Sequence, residues 1–266
     1  MEGDSILGGA ILVLGATGIS VLGLLGARKI FDLQKLRESH EVGGYLLSVV
    51  GTLYAVLLGL IVVDAMAKFQ NARMVTEEEA NNLADVFVLA ASLPKELCNH
   101  VRQDCIDYTN RVIKKEWPMM DEGKVDVEAR RIIVHMNVEL STFEPQTENQ
   151  KAIYPLLLSA ASDVWHTRRE RTNYAIHGPP VVEWVSLVIG SIITVFFTYF
   201  FNSAHLKLQV VMTSMVALLI SLNLFLFLLF SYPFSGDVCV GPDPFEVDLM
   251  IFQHRFSDRS AAPVED

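Results

Sequence analysis

The chain has 266 residues, 51% of them hydrophobic and 20% charged, with a formal net charge of −10. No segment carries the basic excess that nucleic-acid binding needs, which excludes that class of partner. The averages conceal a segregation: Ile6 to Gly26, Gly44 to Val63, Trp184 to Ala204 and Leu208 to Phe230 contain no Asp, Glu, Lys or Arg.

Each charge-free stretch reaches the roughly 20 residues that a helix needs to cross a hydrocarbon core of about 30 Å. The sequence therefore predicts an all-α, polytopic membrane protein with four transmembrane helices. The expected organisation is a first transmembrane hairpin (1–65), a helical soluble domain between the second and third spans (66–180), a second hairpin (181–231) and a C-terminal tail (232–266). The soluble domain is nearly balanced in charge, with 14 Lys or Arg against 17 Asp or Glu from Met66 to Pro180 (net −3).

The first span lacks a basic n-region and is followed, not preceded, by Arg28 and Lys29, so it is expected to be a retained span and not a signal peptide. Gly9, Ala16 and Gly23 repeat every seven residues, joined on one face by Ser20 and Ala27, a seam along which helix backbones approach closely in lipid. Arg28, Lys29, Lys35 and Arg37 in the first connection favour a cytoplasmic connection by the positive-inside rule. Lys68, Arg73, Arg168, Arg169 and Arg171 lie near membrane ends of the soluble domain and weigh the other way; charge alone leaves orientation open.

Asp64 to Ala91 contains neither Pro nor Gly, so the second span is expected to run on as one helix of about 48 residues, roughly 70 Å long. Leu93-Pro94 interrupts it. Leu97, Val101, Cys105, Tyr108 and Val112 then form one apolar stripe that must pack on another helix. Glu116-Trp117-Pro118 is read as closing that helix and Asp121-Glu122-Gly123 as a turn. Ile133, Met136, Leu140 and Phe143 make a further stripe, and Thr147 is a candidate cap for a helix carrying Ile153, Leu157, Ala160 and Val164. Cys98 and Cys105, seven apart on a helix, lie about 10 Å from each other, too far for a disulfide, and are read as small buried residues.

Chemical motifs are sparse. There is no HExxH, zinc spacing, GxSxG, Walker loop or GxGxxG, so neither an enzyme nor a bound cofactor or resident metal is expected. The seven histidines read as scattered. Glu77-Glu78-Glu79 points in three directions on a helix and is read as a solvated face. Arg168, Arg169 and Arg171 either contact anionic lipid headgroups or an ion vestibule, or pair with nearby acids. The spans lack midplane ionisable groups, with only Asp64 and Glu183 at helix ends, which disfavours a coupled pump and suits a passive pore with an apolar constriction.

Several features together resemble the bacterial bestrophin-like family: Gly51-Thr-Leu-Tyr-Ala-Val-Leu-Leu-Gly-Leu60, Asp64 to Arg73, Leu93-Pro94, Tyr108, Glu116-Trp117-Pro118, Arg168-Arg169-x-Arg171 and Pro233-Phe-Ser-Gly236. More distantly, the layout resembles the bestrophin ion channels. That resemblance implies a homo-oligomer, a pentamer in those channels, in the bacterial inner membrane with a cytoplasmic helical domain. It also implies a pore lined by the second membrane helix, with Thr52, Val56 and Leu60 at the neck. Periodicity permits this assignment, because the three residues share a helix face.

Two departures are visible. The polar stretch that follows the neck in bestrophins is here Ile61-Val62-Val63-Asp64, so Asp64 is a vestibule candidate. The acidic calcium-binding cluster of animal bestrophins is represented only by dispersed residues, with Asp237 and Asp243 as weak calcium candidates. The Gly241-Pro-Asp-Pro244 turn is expected to bend the tail so that Phe245, Leu249, Ile251 and Phe252 pack against a neighbour. The expected function is passive ion conduction by an oligomer in contact with membrane lipids; the competing class is a non-conducting scaffold or sensor.

Overall fold

The computed structural model describes residues 6–30, 40–200 and 205–260; Lys35 and Arg37 of the first connection and positions 201–204 of the third charge-free stretch lie outside the described residues. All regular structure among the described residues is helical, and four helical stretches are long and apolar enough to cross a membrane. The chain is thus an all-α, multi-pass membrane protein. Its helices are α1 (Ile6–Ile30), α2 (His40–Leu89), α3 (Lys95–Arg111), α4 (Trp117–Asp121), α5 (Val127–Thr142), α6 (Glu148–Ile176), α7 (Val181–Tyr199), α8 (Leu206–Ser231) and α9 (Asp243–Ser260). They form two compact units. One comprises the described residues up to Phe69 with Gly178–Tyr232 and Gly236–Val238; the other comprises Gln70–His177, Pro233–Ser235 and the described residues from Cys239.

The first unit holds α1, α7, α8 and the first part of α2. The small-residue seam of α1 is used where neighbours press on it. A Cβ on Gly9 would run into the Phe225 ring of α8, and one on Gly23 would stand 2.6 Å from the Tyr199 hydroxyl of α7. That hydroxyl donates to the Ser20 carbonyl at 2.8 Å. Thr198 and Thr213 link α7 to α8 through hydroxyls 3.3 Å apart. Other hydroxyls donate to the carbonyl one turn back on their own helix, as Thr17 to Val13, Thr194 to Gly190 and Ser214 to Val210. In lipid no water satisfies such groups, so they return to the backbone or cross to a neighbouring helix.

The second unit is a helical bundle built on the predicted stripes. Val101, Cys105, Tyr108 and Val112 are buried, as are Ile133, Met136 and Leu140 of α5 and Leu157, Ala160 and Val164 of α6. Asp126 caps α5 by accepting from Glu128 N at 3.1 Å. Thr147 begins α6 in a capping box closed by Gln150, which satisfies two otherwise unpaired backbone donors. Gly123, at φ +69°, makes the turn before α5.

Two expectations are corrected. Glu116-Trp117-Pro118 does not close α3: a π turn, Val112–Glu116, carries the chain directly into α4, where Pro118 stands in the first turn. Proline offers no N–H to the helical ladder, and it sits where the π turn has already displaced that ladder, the Trp117 N–H reaching back to the Val112 carbonyl. The tail forms a helix, α9, and its aromatic residues pack on their own chain and not on a neighbour. Phe245 and Phe252 are fully buried, with Phe252 stacked on Phe87 at 4.2 Å, while Ile251 remains exposed.

Gly9→Leu is expected to lower the thermal midpoint of the detergent-solubilised protein, an overpacking cost of about 1–3 kcal/mol. Gly15→Leu is its control, because nothing lies within 4 Å of a Cβ there, and it should leave the midpoint unchanged. In the second unit, Asp248 of α9 is half-buried and its Oδ2 has no hydrogen-bond partner. Burial raises its carboxyl from 3.8 to about 6. The folded-state value exceeds the unfolded one, so the stabilising contribution is complete below about pH 4, declines as pH rises, and is lost above about pH 6. Asp248→Asn should therefore leave stability unchanged at pH 4 and raise it at pH 7, by about 1 kcal/mol after allowance for solvent screening. Denaturation at the two pH values measures the difference.

Candidate functional site

Helix α2 shows its own protomer one narrow face. Tyr54, Leu58, Val62 and Ala65 are buried, at spacings of four, four and three that make one stripe. Tyr54 donates to the Leu187 carbonyl of α7 at 3.0 Å, and Gly190 is bare because a Cβ there would overlap the Tyr54 ring. Leu187 and Phe227 complete this small core, with Trp184 edge-on to Phe227 at 4.9 Å. At the end of the stripe Phe69 meets Phe230 edge-on at 5.5 Å.

Thr52, Val56 and Leu60 occupy the opposite side. Two residues of helix turn through about 200°, so the row lies about 160° round from the buried stripe. Val56 is 57% and Leu60 66% exposed, and Thr52 is exposed as well. Thr52 donates its hydroxyl proton to the Ser48 carbonyl at 2.7 Å. With that donor committed to the helix itself, the row is effectively apolar along its length. The next position on the same i, i+4 row is Asp64. Its carboxylate meets Lys68 Nζ at 2.6 Å, and Lys68 also reaches Glu183 at 3.8 Å. An apolar row thus gives way to a carboxylate whose charge is locally answered.

The basic run of α6 divides. Arg169 is exposed, whereas Arg168 and Arg171 are buried in the second unit, so of the two alternatives left by the sequence, pairing with acids is the one realised for these two. Arg171 donates from Nε and Nη2 to Glu79 at 2.7 and 3.0 Å, and from Nη2 to Glu116 at 2.9 Å. Its guanidinium lies 5.1 Å from the Trp117 ring centre and 5.6 Å from that of Phe245. Arg168 pairs with the other oxygen of Glu116 and donates to the Asp126 carbonyl at 3.0 Å. Tyr108 donates to Glu79; burial pushes its phenol well above the ordinary value, so it remains a donor. Glu79 corrects the expectation of a solvated acidic run: Glu77 and Glu78 are exposed, but Glu79 is fully buried.

Asp237 lies on the turn after Pro233-Phe-Ser-Gly236 and Asp243 in the first turn of α9; both are exposed. Neither belongs to the group of His, Cys, Asp or Glu side chains that converges closely enough for a metal among the described residues, which is Asp104, His135 and Glu139. Sequence reading missed that group because its members come from two helices. The available signal was a pair of i, i+4 spacings, His100 with Asp104 and His135 with Glu139.

The family model described as Bestrophin-like domain matches residues 14–245. Among solved structures, the fold is similar to that of a mutant bacterial bestrophin homologue from Klebsiella pneumoniae, with a TM-score of 0.67 and 11% identity over 94% of this chain and 99% of that one. A second mutant of a bestrophin homologue from the same organism gives 0.62 and 15% identity over 92% and 99%. A further crystal structure, described as a membrane protein, gives 0.62 and 14% identity over 94% and 99%. No protein with a curated description matches the sequence. At these identities the structural likeness establishes a common fold, and the family match covers most of the chain.

Arg171→Ala would leave Glu79 and Glu116 buried without their principal counter-charge. The expected loss is roughly 3–5 kcal/mol of stability, seen as a large fall in denaturation midpoint, whereas Arg169→Ala on the exposed face should change stability by less than about 0.5 kcal/mol.

Proposed function

The chain belongs to the bestrophin-like family, and from that premise we propose that it is one subunit of a homo-oligomeric ion channel, five copies arranged about an axis lined by α2. Four membrane helices per protomer are too few to enclose a pore, so assembly builds it. Thr52, Val56 and Leu60 form the neck, and Asp64 stands where the neck opens. The observation that carries this reading is the placement of these three residues on the side of α2 turned away from its own protomer, while the opposite stripe is buried. A pore-lining helix has to be anchored from behind and bare in front.

In such a neck an ion meets methyl and isopropyl groups with no replacement for its hydration shell. Conduction is then limited by dewetting of the constriction and not by tight coordination. The helical unit lies on the cytoplasmic side of a bacterial inner membrane in this reading, as the family resemblance suggests. Arg169 is the member of the basic run left available to anions or lipid headgroups.

Single-channel recording of the purified protein in planar bilayers under a salt gradient tests the proposal. Wild type should conduct, and Val56→Ala/Leu60→Ala should raise the unitary conductance by widening and wetting the neck. An unchanged conductance in the double variant would remove these residues from the pore. Silence from a folded oligomer across calcium and pH would favour the non-conducting scaffold.

A further inference from the structure

Two His–acid pairs face each other across α3 and α5. His100 and Asp104 are four residues apart on α3, and His135 and Glu139 are four apart on α5, so each pair presents its members one turn apart on a single face. The helices match them crosswise. His135 Nδ1 lies 3.2 Å from Asp104 Oδ2, and His100 Nδ1 lies 3.2 Å from Glu139 Oε1. Asp104, His135 and Glu139 each bring one ligand atom within 4.8 Å of the other two.

These distances suit a small ion. Four ligands placed about 2.0–2.1 Å from a tetrahedral centre are separated by about 3.3–3.4 Å along each edge. Both cross-helix contacts are already near that length. Asp104 and Glu139 keep only 23% and 25% of their side chains exposed, whereas His100 and His135 keep 69% and 70%; the carboxylates form a floor and the imidazoles an exposed rim. Glu139 Oε2 is buried without a hydrogen-bond partner, an uncommitted acceptor beside the one that meets His100. With both imidazoles neutral the group carries two negative charges, and Asp107 adds a third nearby.

We propose that Asp104, His135 and Glu139, joined by His100, bind a divalent transition-metal ion of the zinc class and clasp α3 to α5. Two nitrogen and two oxygen donors match such an ion; calcium and magnesium take oxygen-only shells of six or more ligands. The site is independent of the pore row in α2, so it stands or falls separately from the channel reading.

The test uses the full-length protein in detergent with any affinity tag removed. Zn²⁺ and Ca²⁺ are titrated separately by calorimetry, and Co²⁺ by visible absorption. The expected result is one Zn²⁺ per chain, the intense bands of tetrahedral Co²⁺, displacement of Co²⁺ by Zn²⁺, and no Ca²⁺ binding. His100→Ala/His135→Ala should weaken Zn²⁺ binding by more than about tenfold, as should Asp104→Asn, while His166→Ala on the exposed face of α6 should retain wild-type affinity. Unchanged metal-free unfolding midpoints separate loss of ligands from loss of fold. Absence of saturable Zn²⁺ binding, or equal affinity in the double variant, would overturn the site and leave the two contacts as simple His–carboxylate pairs.

Discussion

Arg171 has no contact with solvent, and a guanidinium that cannot shed its proton has to find its counter-charges inside the protein. It finds them on Glu79 of α2 and Glu116 of the π turn, with Trp117 of α4 and Phe245 of α9 beside its face. One side chain on α6 therefore fixes where four other elements of the helical unit must come. Burying charge contributes little net stability compared with an apolar core of the same volume, because desolvation offsets the attraction. Its contribution here is register: two arginines and two glutamates are satisfied together only when α2, the π turn and α6 meet in one arrangement.

The membrane unit is organised by a different economy. Among its described residues there is no comparable buried ionic centre, and its hydroxyls turn back to their own helices or reach across to a neighbouring one. Close approach at Gly9, Gly23 and Gly190 supplies the packing instead. Tyr54 shows how shape and polarity combine: its ring fills the space left by Gly190, while its hydroxyl satisfies the Leu187 carbonyl. These contacts fix the rotation of α2 and hence the direction in which Thr52, Val56 and Leu60 face.

Much of this was readable in one dimension. The apolar stripes from Val101 to Val112 and from Ile133 to Leu140 state their own buried faces, and Thr147 with Gln150 three positions later states a helix start. Glu79 was not readable, because three consecutive glutamates look alike in a sequence while each helical residue turns the side chain by about 100°. Pro118 reads as a terminator, yet the helical run continues through it, just after a π turn that displaces the hydrogen-bond ladder. Asp243-Pro244 looks like part of a turn in the sequence, although the same pair commonly opens a helix, as it does here. In the candidate site, spacing placed Thr52, Val56 and Leu60 on one face, but not which face. A span apolar on every side carries no amphipathic signal, and tertiary contacts such as Tyr54 to Leu187 supply the missing direction. His100, Asp104, His135 and Glu139 looked scattered because their relation exists only across two helices.

The wide apolar surface that α2 leaves uncovered has a meaning here that it would not have in water. Leucine in a hydrocarbon solvent is already in a favourable medium, so exposed Leu53 and Leu57, beside the neck row, generate no hydrophobic pull toward another copy. Association of such surfaces has to be decided by fit: by how well knobs and hollows interlock, and by how many lipid chains are released when they do. Swapping isomers of equal oiliness, such as Leu for Ile, can then matter more to self-association along α2 than changing how greasy the helix is.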